Sequence, residues 1–371
     1  RAVPGVHAVY FAEDVPGLND VGPVVHDEPL FATSEVQFLG QSVALVVGES
    51  YEACRAGVKA VEVDYQPLPA ILTIEAAESA GAWLSEPHVM ERGDVALGLR
   101  SAALRFSGEV RTGAQDHFYL ETQVTLALPE EGGSLRLLSS TQHPSEVQAI
   151  VAHVLHLGRH QVTVEVPRMG GGFGGKETQA APFAAMAALA ALKLQRPVKV
   201  WLNRDQDMVQ TGKRHPFRCR FEAGFSPDGA LLALDAFLVA DGGFSTDLSR
   251  AILDRGMFHS DNAYFLPNVR LKGLVAKTNL PSNTAFRGFG GPQGMALIED
   301  VMSRAAERLG LDPAKVRARN FYGPAPRNVT PYHQEVKDCR IERVWQELLD
   351  SSDYAARRAA VDAFNRGSPW N

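Results

Sequence analysis

The sequence predicts an α+β fold divided into two domains. With 371 residues, the chain is longer than one ordinary hydrophobic core requires. Strand-like runs and helix-like apolar stripes are mixed along it. A polar stretch containing Pro and Gly, residues 85–94, separates residues 1–84 from residues 95–371. We therefore expect a small α+β domain at 1–84 and a larger second domain at 95–371.

The elements of the first domain follow from apolar periodicity. Strands are predicted at residues 6–11 and 42–48, where Val and other β-formers dominate. A helix is predicted at residues 51–61, followed directly by a strand at residues 61–65 with apolar residues at alternate positions.

The second domain is predicted to begin with strands and continue with helices. Pro144 suits the first position of a helix whose end Gly158 would cap, and Pro-Asp-Gly at residues 227–229 is typical of a hairpin turn. The predicted strands are 104–110, 120–128, 135–139, 161–166, 198–202, 216–224 and 231–240. The predicted helices are 144–155, 180–194, 292–309, 312–319, 339–349 and 354–364.

Composition and charge exclude several classes of protein. The chain is 45% hydrophobic and 22% charged with a net charge of −6, and it has no basic cluster interleaved with aromatics, so nucleic acid is not an expected partner. No apolar run approaches the roughly 20 residues that span a bilayer, and no signal peptide is recognisable. Three widely spaced cysteines fit a reducing compartment and provide no cluster-binding motif. We expect a cytoplasmic protein, cut at both ends because it starts at Arg1 without Met and enters a strand almost directly.

The first glycine loop, residues 168–178 (RMGGGFGGKET), has five glycines around one Phe immediately before a predicted helix. Glycine allows a ligand to approach the backbone closely, and successive amides at a helix N-terminus bind anionic or oxo groups. A cofactor cradle is therefore the functional interpretation. A nucleotide-binding P-loop is an alternative that fits poorly, because Glu177 occupies the position where a Ser or Thr would hold magnesium. A purely structural glycine turn is a second alternative.

The second glycine loop, residues 278–294 (TNLPSNTAFRGFGGPQG), repeats this design with a Phe between glycines. Such a loop can project an aromatic ring from a bare backbone, but glycine and aromatic residues also close hydrophobic cores. From composition alone, a functional loop and a structural loop are equally good interpretations.

Four segments together resemble the xanthine dehydrogenase and aldehyde oxidase family. They are the two glycine loops, QDHFYLETQ at residues 115–123 and GKRHPF at residues 212–217. The resemblance runs from the first domain to the end of the chain. It implies an α/β hammerhead domain at 1–84 and the N-terminal part of a molybdopterin-binding catalytic domain at 95–371. The chain would be the molybdenum-binding large subunit of a bacterial-type xanthine dehydrogenase, incomplete at both ends.

The resemblance, and not the periodicity, implies the cofactor and the residues around it. In this family a molybdopterin-bound oxygen attacks an electron-poor carbon while hydride passes to the sulfido ligand of molybdenum. Gln142 matches the glutamine that hydrogen-bonds the molybdenum oxo group; a neighbour of the helix N-cap is its structural alternative. Phe173, between Gly172 and Gly174, and Arg287 match positions whose backbone approaches the metal. Gln142, Phe173 and Arg287 would thus surround molybdenum, with Gly172 and Gly174 completing the cofactor site.

The resemblance also implies how a purine would be recognised. Glu177 and Arg255 match two catalytic residues that hydrogen-bond opposite edges of the purine in xanthine-oxidising members, and aldehyde oxidases usually lack both. Phe289 matches the aromatic residue on which the purine stacks, with core packing as its alternative. No residue of this chain matches the glutamate that serves as general base, so the isolated chain is expected to be inactive.

The implied assembly extends beyond this chain. FAD and [2Fe-2S] clusters would lie in a partner subunit or other domains, and the remaining part of the molybdopterin domain would complete the site. Xanthine or hypoxanthine would be the substrate and urate the product, within a higher oligomer. The alternatives left open are an aldehyde or another N-heterocycle as substrate, and a fragment that acts only within the assembled site. The sequence does not distinguish molybdopterin from its cytosine dinucleotide form, or NAD from oxygen as final acceptor.

Overall fold

The computed structural model describes residues 2–368 and confirms a mixed α and β fold. Arg1 and residues 369–371, at the ends where truncation was expected, lie outside the described residues. The strands are β1 (Val6–Tyr10), β2 (Leu45–Gly48), β3 (His88–Arg92), β4 (Leu104–Thr112), β5 (Val124–Pro129), β6 (Leu135–Ser139), β7 (Val162–Glu165), β8 (Val198–Trp201), β9 (Phe217–Phe225), β10 (Leu231–Gly243) and β11 (Val269–Lys277).

Helices make up the rest of the regular structure. They are α1 (Tyr51–Lys59), α2 (Ile74–Ala80), α3 (Val95–Ser101), α4 (Pro144–Leu155), α5 (Ala181–Leu194), α6 (Arg204–Gln210), α7 (Ser249–Phe258), α8 (Gly291–Leu309), α9 (Pro313–Asn320), α10 (Ile341–Ser351) and α11 (Tyr354–Gly367). Among residues 2–368, no helix has both the length and the apolar character needed to cross a membrane.

Three sheets organise these strands. The five-stranded sheet has the order β3-β11-β10-β9-β4, in which only β10 and β11 run parallel. Its β9–β10 pair is the hairpin predicted from the Pro-Asp-Gly turn, which confirms that prediction. The four-stranded sheet has the order β7-β6-β5-β8, and β1 pairs with β2 in an antiparallel ribbon.

Each larger sheet forms a core with its own helices. Helices α7 and α8 pack on the five-stranded sheet through residues such as Ile252 and Leu297, which are buried with Leu234 and Leu238. Helices α4 and α5 cover the four-stranded sheet, where the alanines of α5 allow close approach. The β1–β2 ribbon joins this second core through Tyr10. The first glycine loop leads into α5 of one core, and the second leads into α8 of the other.

Three local predictions are wrong. Residues 61–65 form no strand: they are exposed, and no other segment lies beside them to complete the backbone hydrogen bonds of a ladder. The polar stretch 85–94 contains β3, which pairs with β11 at the edge of the five-stranded sheet, where polar side chains remain solvated. Helix α4 ends before Gly158 because His156 adopts the left-handed conformation, with φ of 55°.

Besides β3, three helices and one strand were not predicted, namely α2, α3, α7 and β11. Helix α7 matters most because it carries Arg255. It has ten residues and no side-chain cap at its N-terminal Leu248, so its sequence carries little helix-start signal.

An acidic cluster links the N-terminal region to the loop between β10 and α7. Glu28 accepts a hydrogen bond from Ser245 Oγ at 2.7 Å. Desolvation is the main cause that raises the pKa of Glu28 to about 8, and the carboxyls of Asp247, Asp27 and Asp20 raise it further, while the bond from Ser245 opposes them. The folded protein therefore holds a proton on Glu28 that the unfolded chain releases at lower pH.

This proton predicts how stability depends on pH. Because the pKa of Glu28 is raised in the fold, its contribution to stability is lost as pH rises through the folded pKa. Glu28→Gln cannot titrate, so we expect its free energy of unfolding to fall less between pH 6 and pH 9, by on the order of 2 kcal/mol. Urea unfolding at several pH values measures this difference. Parallel curves for the two proteins would contradict the prediction.

Candidate active site

The first glycine loop folds around the side chain of Gln142. Gln142 Oε1 accepts hydrogen bonds from the backbone amides of Gly174, at 2.8 Å, and Lys176, at 3.3 Å. A Cβ on Gly172 would come within 2.4 Å of this oxygen, which explains the glycine there. Phe173 has φ of 55°, a left-handed conformation that is strained for a bulky residue. The loop thus turns Phe173 outward, where it is 49% exposed.

The orientation of the Gln142 amide follows from these bonds. Because Oε1 faces two amide donors, the other end of the side chain, Nε2, is the remaining donor. Gln142 is exposed, and no hydrogen bond from Nε2 forms within the described residues. An oxygen-bearing ligand beside the loop could accept this hydrogen bond.

The backbone amides of Gly171, Gly172 and Phe173 also form no hydrogen bond within residues 2–368. Unpaired amides in succession make a concavity that favours anions and oxo groups. As predicted, a helix follows the loop, since α5 begins at Ala181, one residue after the predicted start. The unpaired amides nevertheless belong to residues 171–173, several residues before the first turn of α5. The cradle therefore rests on loop amides and not on the N-terminus of α5.

The environment of Lys176 contradicts the P-loop alternative. Its side chain is fully buried, and Nζ donates to Ser140 Oγ at 2.8 Å and to Glu121 Oε2 at 3.3 Å. Glu121 Oε2 also accepts from the amide of Gly170 at 2.8 Å, so one carboxylate holds both ends of the loop. A P-loop lysine must reach the phosphate of a nucleotide. Lys176 instead points into the protein interior, where its hydrogen bonds stabilise the loop.

The second glycine loop repeats the backbone design of the first and is joined to it. Phe289 has φ of 51° and is followed by Gly290 at φ of 92°. The amide of Arg287 donates to the carbonyl oxygen of Phe173 at 2.9 Å. A Cβ on Gly174 would approach the carbonyl oxygen of Ala285 to 2.4 Å, so glycine is required for the loops to meet.

Helix α7 packs against the second glycine loop and presents Arg255 beside it. A Cβ on Gly290 would lie 2.0 Å from the carbonyl oxygen of Ile252, which shows how closely loop and helix approach. Arg255 is exposed; its Nε donates to His259 Nε2 at 3.2 Å, and it forms no ion pair within residues 2–368. Phe289 is half-buried and packs partly against the core of the five-stranded sheet. Part of its ring therefore contributes to core packing, which is the structural alternative to stacking on a purine.

Glu177 follows the first glycine loop and is half-buried. Desolvation by burial raises the pKa of its carboxyl; His143 opposes this shift, and the nearby carboxylate of Glu146 adds to it. Glu177 has no ion-pair partner in the described part of the chain, so its carboxyl remains available to a ligand. No direct contact joins it to Arg255 there.

The predicted residues thus fall into one connected region. Direct contacts link Gln142 to Gly172 and Gly174, and the amide of Arg287 joins Phe173. Phe289 and Arg255 join through the contact between the second glycine loop and α7.

Two supporting residues were missed by sequence reasoning. The Arg214 guanidinium lies 3.9 Å from the centre of the Phe286 ring and donates to the carbonyl oxygen of Arg287 at 3.1 Å. His117 is buried, with Nε2 2.6 Å from the carbonyl oxygen of Ala285. Both belong to the segments that carry the family resemblance, which marked the segments without revealing that these side chains support the second glycine loop.

A cavity of about 960 Å³ lies elsewhere, lined by residues such as Tyr322, Tyr332 and Arg340. None of its lining residues belongs to either glycine loop, to Gln142 or to Arg255. We take the glycine loops as the candidate site because they present unpaired hydrogen-bond donors to a ligand, which is a stronger indication of function than the volume of a cavity.

The donor set of this site suits a metal carried by a cofactor. No cluster of three or more His, Cys, Asp or Glu side chains that could hold a metal ion occurs among residues 2–368. The unpaired amides of the first glycine loop and Nε2 of Gln142 are instead hydrogen-bond donors, which suit oxo and phosphate oxygens. They fit a molybdopterin cofactor.

Comparisons with known proteins identify the family of this chain. The family model of the molybdopterin cofactor-binding domain matches residues 82–321, and that of the aldehyde oxidase and xanthine dehydrogenase a/b hammerhead domain matches residues 1–69. A xanthine dehydrogenase from Dictyostelium discoideum is 46% identical over 98% of this chain, and a nicotinate hydroxylase from Emericella nidulans is 42% identical over 95%. This chain spans 27% and 26% of their respective lengths.

The solved structures show the same fold. An aldehyde oxidoreductase from Desulfovibrio gigas superposes with a TM-score of 0.90 and 28% identity, covering 96% of this chain and 41% of its own. Both family models, the relatives and this fold point to the same family. The chain therefore belongs to the xanthine dehydrogenase and aldehyde oxidase family of molybdenum hydroxylases.

Proposed function

We propose that this chain forms the purine-recognition half of the active site in an enzyme that oxidises hypoxanthine and xanthine to urate. The observation that carries the proposal is the pair formed by Glu177 and Arg255. Within residues 2–368 neither side chain has an ion-pair partner, and the second glycine loop connects the elements that carry them. Molybdopterin, when bound, supplies the two-electron oxidation that hydroxylates the substrate carbon.

The chain's own residues would hold and orient the reactants. Gln142 would donate from Nε2 to an oxo group, while the loop amides near Phe173 and Arg287 would border the metal centre. Fixed donors of this kind need no rearrangement as charge develops, which is the basis of electrostatic preorganisation. Lys176 would keep the cradle in place without touching the cofactor.

A purine would lie between the two polar residues. The Glu177 carboxyl, whose pKa is raised by burial, can hold a proton and so either donate to a ring nitrogen or accept from one. The Arg255 guanidinium would face the purine oxygen on which negative charge accumulates during attack. The accessible part of Phe289 would contact the ring face, an interaction worth about 1 kcal/mol beyond burial.

Electrons from the substrate must leave through further centres. We expect FAD and [2Fe-2S] clusters in a partner subunit or in other domains, because the chain spans only 27% of its Dictyostelium relative. The remainder of the molybdopterin domain would close the cofactor site and supply the general base, within a higher oligomer in the cytoplasm.

A second candidate is oxidation of another N-heterocycle. The nicotinate hydroxylase relative, at 42% identity over 95% of this chain, favours it over an aldehyde substrate. Nicotinate carries a carboxylate, which an arginine binds well, but its single ring nitrogen gives Glu177 less to contact than a purine does.

Metal analysis and substrate comparison on the full-length protein test the proposal. We expect molybdenum, and a kcat/KM for xanthine well above those for nicotinate and for a small aldehyde. A preference for nicotinate would establish the second candidate instead, and a protein purified with its native cofactor but without molybdenum would overturn both.

A further inference from the structure

A buried carboxyl group, Asp247, lies between the two glycine loops. It belongs to the short connection from β10 to α7 and is 2% exposed. Its Oδ2 accepts hydrogen bonds from Thr178 Oγ1 and Gln179 Nε2, each at 3.1 Å. Thr178 is the residue directly after Glu177, so this contact fixes the end of the first glycine loop.

The hydrogen bonds continue from Thr178 into the second glycine loop. Thr178 Oγ1 lies 3.1 Å from Thr284 Oγ1, which precedes Phe286 and Arg287. A hydroxyl has one hydrogen to donate. When Thr178 donates to Asp247, its only hydrogen is used, so Thr284 either donates to Thr178 or donates to the Asp247 carboxylate, whose ionised form it favours. In both cases the carboxylate orients the two hydroxyl groups.

The third element is α7, which begins two residues after Asp247 and carries Arg255. One side chain thus ties together the segments that hold Glu177, Arg287 and Arg255. We propose that Asp247 is a positioning residue that fixes these three groups relative to one another. The catalytic consequence of this proposal rests on the proposed function. The coupling of the two loops through Asp247 does not depend on it.

The cost of this carboxyl argues against a role in stability alone. Within residues 2–368, Asp247 Oδ1 has no hydrogen bond of good geometry, although the Thr284 hydroxyl favours the ionised carboxyl, and buried polar atoms without well-formed bonds destabilise a fold. Desolvation is the main cause that raises the pKa of Asp247 to about 7; hydrogen bonds from Thr284, Thr178 and Gln179 oppose the shift, and the carboxylate of Glu146 adds to it. The acidic cluster around Glu28 lies nearby. A neutral side chain would stabilise the fold more, whereas a charged acceptor holds hydroxyl donors more firmly.

Asp261 offers a matched control. It is also buried and accepts a hydrogen bond, from Tyr322 Oη at 2.6 Å, but it contacts neither glycine loop. Asp261→Ala should therefore reproduce the loss of a buried carboxyl without disturbing the site. Asp247→Asn keeps an acceptor oxygen and the side-chain shape, so it remains informative if Asp247→Ala folds poorly.

Hydrogen exchange in the full-length protein tests the coupling without using activity. Asp247→Ala should accelerate amide exchange at least tenfold in both residues 168–180 and 278–291, although these segments are distant in sequence. Asp247→Asn should show a smaller effect, and Asp261→Ala none in either segment. Acceleration in one segment only, or the same pattern in Asp261→Ala, would overturn the proposal.

Steady-state kinetics per bound molybdenum tests the catalytic consequence. Because small displacements of positioned groups can reduce rates by about 10²-fold, we expect Asp247→Ala to lower kcat/KM for xanthine by about 10- to 100-fold. Asp247→Asn should recover most of this loss, and Asp261→Ala should stay near wild type. Unchanged kinetics per molybdenum in Asp247→Ala would leave a structural role only and overturn the positioning role. If wild-type protein fails to oxidise xanthine, the proposed function fails, and hydrogen exchange still decides the coupling.

Discussion

Replacing Arg255 by methionine in the full-length enzyme should lower kcat for xanthine by about 10²- to 10³-fold and leave molybdenum content unchanged. Arg255 is exposed, bonded only to His259 and free of ion pairs in the described part of the chain, so its removal leaves no buried charge behind. The loss should appear in kcat and kcat/KM together, because an interaction that strengthens in the transition state has this signature.

The same helix supplies a control for this experiment. Arg250 is also exposed on α7, five residues earlier, and Arg250→Met makes the same chemical change. We expect it to keep near wild-type turnover. The proposal that Arg255 recognises the purine would be wrong if Arg255→Met lost molybdenum in proportion to its activity, or if both variants lost activity equally.

The 371-residue chain expressed alone should bind little molybdenum and form no detectable urate. We propose that the general base lies outside this chain, and a positioned base typically contributes 10²–10⁴-fold. The cofactor site would also have only one wall, formed by the two glycine loops, which leaves a bound pterin open to water.

Adding the remaining part of the molybdopterin domain in trans tests this prediction. Recovery of both molybdenum binding and urate formation is the expected result, with the full-length protein as the reference. Xanthine turnover at near wild-type rates by the 371-residue chain would show that the base lies within it.

The family and the two glycine loops could be predicted from sequence because their signals are local. A Phe flanked by glycines twice, at Phe173 and Phe289, marked both segments, and the left-handed backbone at both residues confirms that the glycines serve an unusual loop conformation. The β9–β10 hairpin was equally accessible, since a turn and its two flanking strands are adjacent in sequence. The P-loop alternative needed the structure, because only burial of Lys176 shows which way its ammonium points.

By itself, the sequence determined the family, the mixed α and β fold and the segments that contain the site, since each depends on residues close together in the chain. Only the tertiary structure decided how those segments meet. Asp247 gave no local signal, because the two hydroxyls around it lie far away in sequence and on opposite sides of it. Thr178 donates to Asp247, and Thr284 bonds Thr178 and favours the ionised carboxyl. Likewise, β3 could not be predicted from its polar sequence, because its hydrogen bonds depend on the partner strand β11. The local sequence pattern of β3 gives no information about that partner.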